Sequence, residues 1–224
     1  MKRAFTLLEL VLVVVIIGII SAVMVPRLSD THIDKAAQQV LQHIRYTQHL
    51  AMMDNKFDPN DPNWFKKRWQ IRFQYTGSSP RKQYYTIYAD ADADDVREQN
   101  EMAVNPLNPV QYMTGDKSYN SKVITQSMNL YDDYKITGVS LTGCTPGGVG
   151  SSQRLAFDYL GRPIIKNLNA LDNVYMDGDK NENRLVTRDC TLTLTNDSYD
   201  FVAISIEPET GYAHISQIYR HQNY

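Results

Sequence analysis

Three hydrophobic patterns follow one another along the chain. The first, FTLLELVLVVVIIGIISAVMV from Phe5 to Val25, is apolar on every side of a helix and carries a single carboxylate, Glu9. Twenty-one residues rise about 31 Å as a helix, which approaches the hydrocarbon thickness of a bilayer. The second begins at Ile33. Apolar residues fall at Ile33, Ala36, Ala37, Val40, Leu41 and Ile44, the i, i+3, i+4, i+7 spacing of a helix with one buried face. This stripe continues towards Met52 and Met53 and stops at Asp54-Asn55. Together the two predict one long helix, with Pro26 as the natural place for a kink.

The third pattern has period two. After the loop FDPNDPN, Trp69, Ile71, Phe73 and Tyr75 alternate with Arg68, Gln70, Arg72 and Gln74, which predicts a strand with one buried face. TGSSPRK reads as a turn and QYYTIYA as a second strand. Residues 96–130 carry scattered Asn, Pro and Gly and predict an irregular insertion. YKITGVSL, QRLAFDY, CTLTLTN, FVAISIEP and AHISQIY then predict further strands between turns. The expected fold class is α+β, a long N-terminal helix packed on a mostly antiparallel β domain.

Composition narrows the function. The chain is 42% hydrophobic and 21% charged with a formal net charge of −2, so it has no global positive surface for nucleic acid. No G-x-S-x-G, H-E-x-x-H or P-loop is present, and GGVG at 147–150 is not followed by a helical pattern, so the expectation is that the protein is not an enzyme. A membrane-anchored enzyme would need a deep, convergent polar pocket. His32, His43 and His49 offer no i, i+4 pair for a metal.

Glu9 is the anomaly, because a charge at the centre of a membrane helix costs about 2.5–3.5 kcal/mol on insertion scales. A cleaved secretory signal, with Lys2 and Arg3 leading to Ser21-Ala22-Val23, leaves it unexplained. Residues 2–9, Lys-Arg-Ala-Phe-Thr-Leu-Leu-Glu, resemble the processing site of type IV pilins and type II secretion pseudopilins. The resemblance implies that a prepilin peptidase cuts between Ala4 and Phe5 and that the new amine is methylated. Glu9 then becomes the fifth mature residue. Alanine stands at position 4 where the family usually has glycine, and a small residue is retained. Glu9 of one subunit is then expected to neutralise the Phe5 amine of a neighbour in a filament; the alternative is a carboxylate snorkelling to headgroups.

LAFDYLGRPI (155–164) and VAISIEPETGYAHI (202–215) are similar to the C-terminal part of the H-type minor pseudopilins and related fimbrial-biogenesis minor pilins. The matching positions are Phe157, Asp158, Gly161, Arg162, Pro163, Thr210 and Gly211, read as turn residues. The resemblance therefore implies a pilin-like minor pseudopilin, a structural subunit of a periplasmic pseudopilus in type II protein secretion. Its expected organisation is a cleaved leader (1–4), a transmembrane helix (5–25), an amphipathic continuation (26–55) and a periplasmic β-rich domain (56–224). The expected location is the inner membrane, single-pass, with the C-terminal domain in the periplasm. Implied partners are other pseudopilins or pilins, the peptidase, the inner membrane and an assembly machinery driven by a cytoplasmic ATPase. The alternative is a minor pilin of a type IV pilus or DNA-uptake machine, with basic runs at 66–68 and 219–221 touching DNA.

Two further constellations carry possible chemistry. Cys144 and Cys190 are the only cysteines; outside the cytoplasm they are expected to pair, with buried free thiols as the alternative. In DADADDVREQNE, Asp90, Asp92, Asp94, Glu98 and Glu101 occupy positions 1, 3, 5, 9 and 12, the ligand spacing of a calcium loop. Asp95 stands where that loop has glycine, and a solvated acidic loop is the competing reading. DGDKNEN (177–183) poses the same choice.

Overall fold

A computed structural model describes residues 6–24, 32–144, 153–165, 167–178 and 182–221. The elements in chain order are α1 (Leu7–Met24), α2 (His32–Met53), β1 (Trp69–Thr76), β2 (Lys82–Ala89), β3 (Val104–Asn105), β4 (Asn108–Tyr112), α3 (Leu130–Tyr134) and β5 (Ile136–Thr142). There follow β6 (Arg154–Phe157), β7 (Pro163–Ile165), β8 (Met176–Asp177), β9 (Glu182–Asn183), β10 (Cys190–Asn196), β11 (Phe201–Ile206) and β12 (Ala213–Tyr219).

Two expectations are corrected here. Among the described residues there is no long N-terminal helix: α1 and α2 are separate elements of 18 and 22 residues, and α3 has only five. Pro26, the expected kink, lies outside the described residues; a proline in general lacks an N–H to donate and disfavours helix at the residue before it. The fold is therefore short helices with mostly antiparallel sheets, not a long helix laid on a β domain. The second correction concerns location. Among the described residues no helix is long and apolar enough to cross a membrane. A single-pass inner-membrane placement is accordingly withdrawn.

The chain divides into two compact units, Met1–Thr31 and His32–Tyr224. In the second, two four-stranded antiparallel sheets run in the orders β2-β1-β6-β7 and β12-β11-β10-β5. The stripe of α2 closes both: Ile33, Ala36, Ala37, Val40, Leu41 and Ile44 share one core with Ile71, Phe73 and Ile87 of the first sheet and Leu192, Val202 and Ile204 of the second. Polar side chains fix the helix in register. Gln39 Nε2 donates to the Tyr85 hydroxyl (2.9 Å), and the Tyr134 hydroxyl donates to Gln39 Oε1 (2.8 Å). His43 Nδ1 lies 2.6 Å from the same Tyr85 hydroxyl. Burial pushes the His43 imidazole down to about 4, so it is neutral at neutral pH.

The other face of the first sheet is also covered. Phe65, Ala156, Ile164, Leu168 and Leu171 form a smaller core there. Gln70 and Arg154 are consequently buried, at 1% and 4% exposure, where alternation alone predicts solvent. The insertion at 96–130 extends this sheet: the Ala103 N–H donates to the Ile87 carbonyl (2.9 Å) along the outer edge of β2.

Candidate functional site

The N-terminal motif lies partly outside the described residues, which exclude Ala4 and Phe5. Glu9 is described, and its carboxylate has a local task. Its Oε2 accepts from both the backbone N–H and the hydroxyl of Thr6, each at 2.9 Å, while the Glu9 N–H donates to Thr6 Oγ1 (3.3 Å). This is a capping box that satisfies N–H groups at the open end of α1. Neither side-chain bond uses Oε1. The signature Thr6-x-x-Glu9 is visible in the sequence, yet the resemblance drew attention to the charge alone. Beyond the cap, α1 presents apolar side chains to solvent, from 45% exposure at Val13 to 82% at Leu7.

The turn residues of the second resemblance meet on α2. Asp158 is fully buried and organises the β6–β7 turn: it accepts from the N–H groups of Leu160 (3.0 Å) and Arg162 (2.8 Å), from Arg162 Nε (2.7 Å) and from the Tyr175 hydroxyl (2.9 Å). Burial alone would disfavour the Arg162 charge, but the hydrogen bond and charge of Asp158 outweigh it and raise the guanidinium above its usual range. Gly161 closes this turn at φ +81°, and Gly211 closes the β11–β12 turn at φ +64°. The two turns touch: a Cβ added at Gly211 would stand 2.3 Å from the Gly161 carbonyl oxygen. Gln48 of α2 clamps both, donating through Nε2 to the carbonyls of Gly161 (2.9 Å) and Thr210 (2.7 Å). The motif is thus a structural knot between helix and both sheets.

Beside the knot lies a cavity of about 430 Å³ lined by Asn55, Phe57, Trp64, Tyr159, Arg162, Val174 and Tyr175. The basic run at 66–68 feeds this region instead of forming a free positive face. Arg68 is buried between the rings of Trp64 and Tyr175, 5.1 and 4.9 Å from their centroids, and Lys67 pairs with Asp61 (2.8 Å). In the run at 219–221, Arg220 pairs with Asp34.

The acidic loop brings three of its five carboxylates together. Asp90, Asp92 and Asp94 each place an oxygen within 4.8 Å of the others. All three are engaged by the loop itself: Asp90 accepts from the N–H groups of Asp94 (3.1 Å) and Asp95 (2.9 Å), Asp92 from Asp94 (3.3 Å), and Asp94 from Val96 (2.6 Å). Glu98 and Glu101 do not join them. They form a capping box of their own, in which Glu101 accepts from the N–H groups of Ala91 (2.6 Å) and Glu98 (3.3 Å). Burial raises the Glu101 carboxyl, and Asp90 and Asp92 add to the effect against those two donors. Asp95, at the position where a calcium loop has glycine, is paired with Arg154 and Arg72. Burial works against its charge, but Arg154 first and then Arg72 and Arg97 hold it below the usual carboxylate range. The residues at 177–183 lie partly outside the described set.

Cys144 and Cys190 are joined in a disulfide, 46 residues apart in sequence. Cys190 starts β10, so the bond ties the end of β5 to its neighbour in the second sheet.

No family model, no curated protein and no solved structure matches this chain.

Proposed function

We propose that this chain is a minor pseudopilin, a structural subunit of the pseudopilus of a type II protein secretion system, processed by a prepilin peptidase between Ala4 and Phe5. The observation that carries the reading is α1: a helix apolar on every side, capped by Thr6 and Glu9, with its large side chains exposed. Such a surface requires cover. Packing against the α1 helices of neighbouring subunits supplies it and makes a filament core. The disulfide fits an oxidising compartment. The function is one of packing rather than chemistry, and other pseudopilins and the assembly machinery are the partners.

Glu9 serves twice in this reading, capping its own helix through Oε2 and neutralising the Phe5 amine of a neighbour. Two substitutions separate the tasks. Thr6→Ala removes the hydroxyl's two bonds of the cap and keeps the carboxylate, whereas Glu9→Val removes the carboxylate and both bonds it accepts. Co-purification with partner pseudopilins should survive Thr6→Ala and fail in Glu9→Val, with Glu9→Asp retaining part of it. Equal loss in Thr6→Ala and Glu9→Val would reduce Glu9 to a capping residue, and wild-type assembly of Glu9→Val would remove the pairing altogether.

A further inference from the structure

A second cavity, polar where the first is aromatic, opens between the two sheets. It holds about 690 Å³, with Arg72 on β1, Gln83 on β2 and Arg154 on β6 to one side and Thr137 on β5 to the other. Arg81 and Gln153 line it too, and no carboxylate is among the described residues that do. Three guanidinium groups therefore share this space. One counter-charge reaches them from behind: Asp95 takes both Nη atoms of Arg154 and accepts from Arg72 Nη1 (3.4 Å). Arg81 has no carboxylate partner among the described residues and lies over the Tyr75 ring, 4.6 Å from its centroid. The cavity is left with an excess of two positive charges.

Arg154 makes this more than a charged surface, because it is only 4% exposed. Its Nη1 also donates to Asn167 Oδ1 (3.0 Å), but its Nε is buried with no partner, and Oε1 of the adjacent Gln153 is buried and unpaired as well. A charged donor and an amide acceptor that give up water and gain nothing are both costly. Buried groups of this kind call for a partner.

Charge, polarity and size then define the occupant. The excess charge selects a dianion, and guanidinium forks match the oxygens of phosphate and carboxylate groups. The volume exceeds a bare ion and falls in the range of small organic ligands. The glutamines and the threonine along the walls offer hydrogen bonds to hydroxyl groups. We propose that this cavity binds a small polar dianion, two negative charges on a hydroxyl-bearing body, as in a polyol phosphate or a hydroxydicarboxylate. Arg81 supplies the open charge and Arg154 the buried donor, while Asp95 holds Arg72 and Arg154 in place beforehand. The site lies wholly within the unit His32–Tyr224, so it goes beyond the filament reading and stands or falls apart from it.

Calorimetry on the full chain in detergent, at fixed ionic strength, tests it with glycerophosphate and with malate, and whichever binds names the source of the charge. At least one should bind with a Kd of about 1 mM or tighter, and uncharged glycerol should not. Arg81→Gln should weaken binding about tenfold through the loss of one charge-assisted contact. Arg188→Gln makes the same charge change at an exposed residue outside the lining and should leave binding as it is. Arg81 is itself exposed, and matching melting temperatures check that both variants keep the fold. No heat from either ligand at about 10 mM overturns the proposal. Equal weakening in the two variants also overturns it, since net charge alone would then explain the binding. Inorganic phosphate bound as tightly as glycerophosphate would overturn the recognition of the polar body.

Discussion

Asp158→Asn perturbs the knot beneath the cavity with almost no change of volume. The carboxylate accepts four bonds, at 2.7 to 3.0 Å, from two backbone N–H groups, a guanidinium and a phenol. An asparagine oxygen can keep the two backbone donors, but its amide then points N–H groups at the Arg162 and Tyr175 donors. The Arg162 charge also loses its partner, with Arg68 buried nearby. Removing one member of a buried pair costs about 3–5 kcal/mol. The Arg162 side chain is 30% exposed, so water recovers part of that and about 3 kcal/mol is expected. In urea, with a slope of about 2 kcal/mol/M, the midpoint should fall by roughly 1.5 M. Asp158→Asn/Arg162→Gln should recover part of the loss, since the orphaned charge is gone. A loss below about 1 kcal/mol in the single variant would refute the claim that this carboxylate organises the turn.

His43 and the disulfide give two more expectations. Because the native imidazole titrates at about 4 instead of 6.5, the unfolded chain takes up the proton first; stability is full above pH 6.5 and falls by about 3 kcal/mol as pH drops towards 4. His43→Gln should flatten that slope by one proton's worth, and an unchanged slope in chemical denaturation across this range would contradict the burial argument. Cys144→Ser/Cys190→Ser opens a loop spanning 46 positions and should cost about 4 kcal/mol; a change under about 1 kcal/mol would mean that the tie constrains little.

Where burial repeats with the geometry of one element, it could be read directly from the chain. Ile33, Ala36, Ala37, Val40, Leu41 and Ile44 are all buried, because a single face of α2 meets both sheets. CTLTLTN and AHISQIY coincide with β10 and β12. The alternation in β1 misled, since Tyr75 is 51% exposed while Gln70 is buried. A second core laid over the sheet from distant segments leaves no period in the strand it covers. The long helix failed for a related reason. Two helical patterns follow one another in the chain, but residues 26–32 between them are mostly polar, and neither pattern says whether the two form one element. At the site, Asp158 and the two glycines were legible as turn residues, but their meeting on Gln48 joins segments more than a hundred positions apart. Glu9 was legible as a charge out of place, and its cap was overlooked although Thr6 stands three residues before it.

A processed filament subunit would carry the record of its processing in its mature N-terminus. Intact-mass and N-terminal peptide mass spectrometry of the protein from its native host should find a chain that begins at Phe5 with a methylated amine. A chain that retains Met1, or one cut after Ala22, would contradict the account.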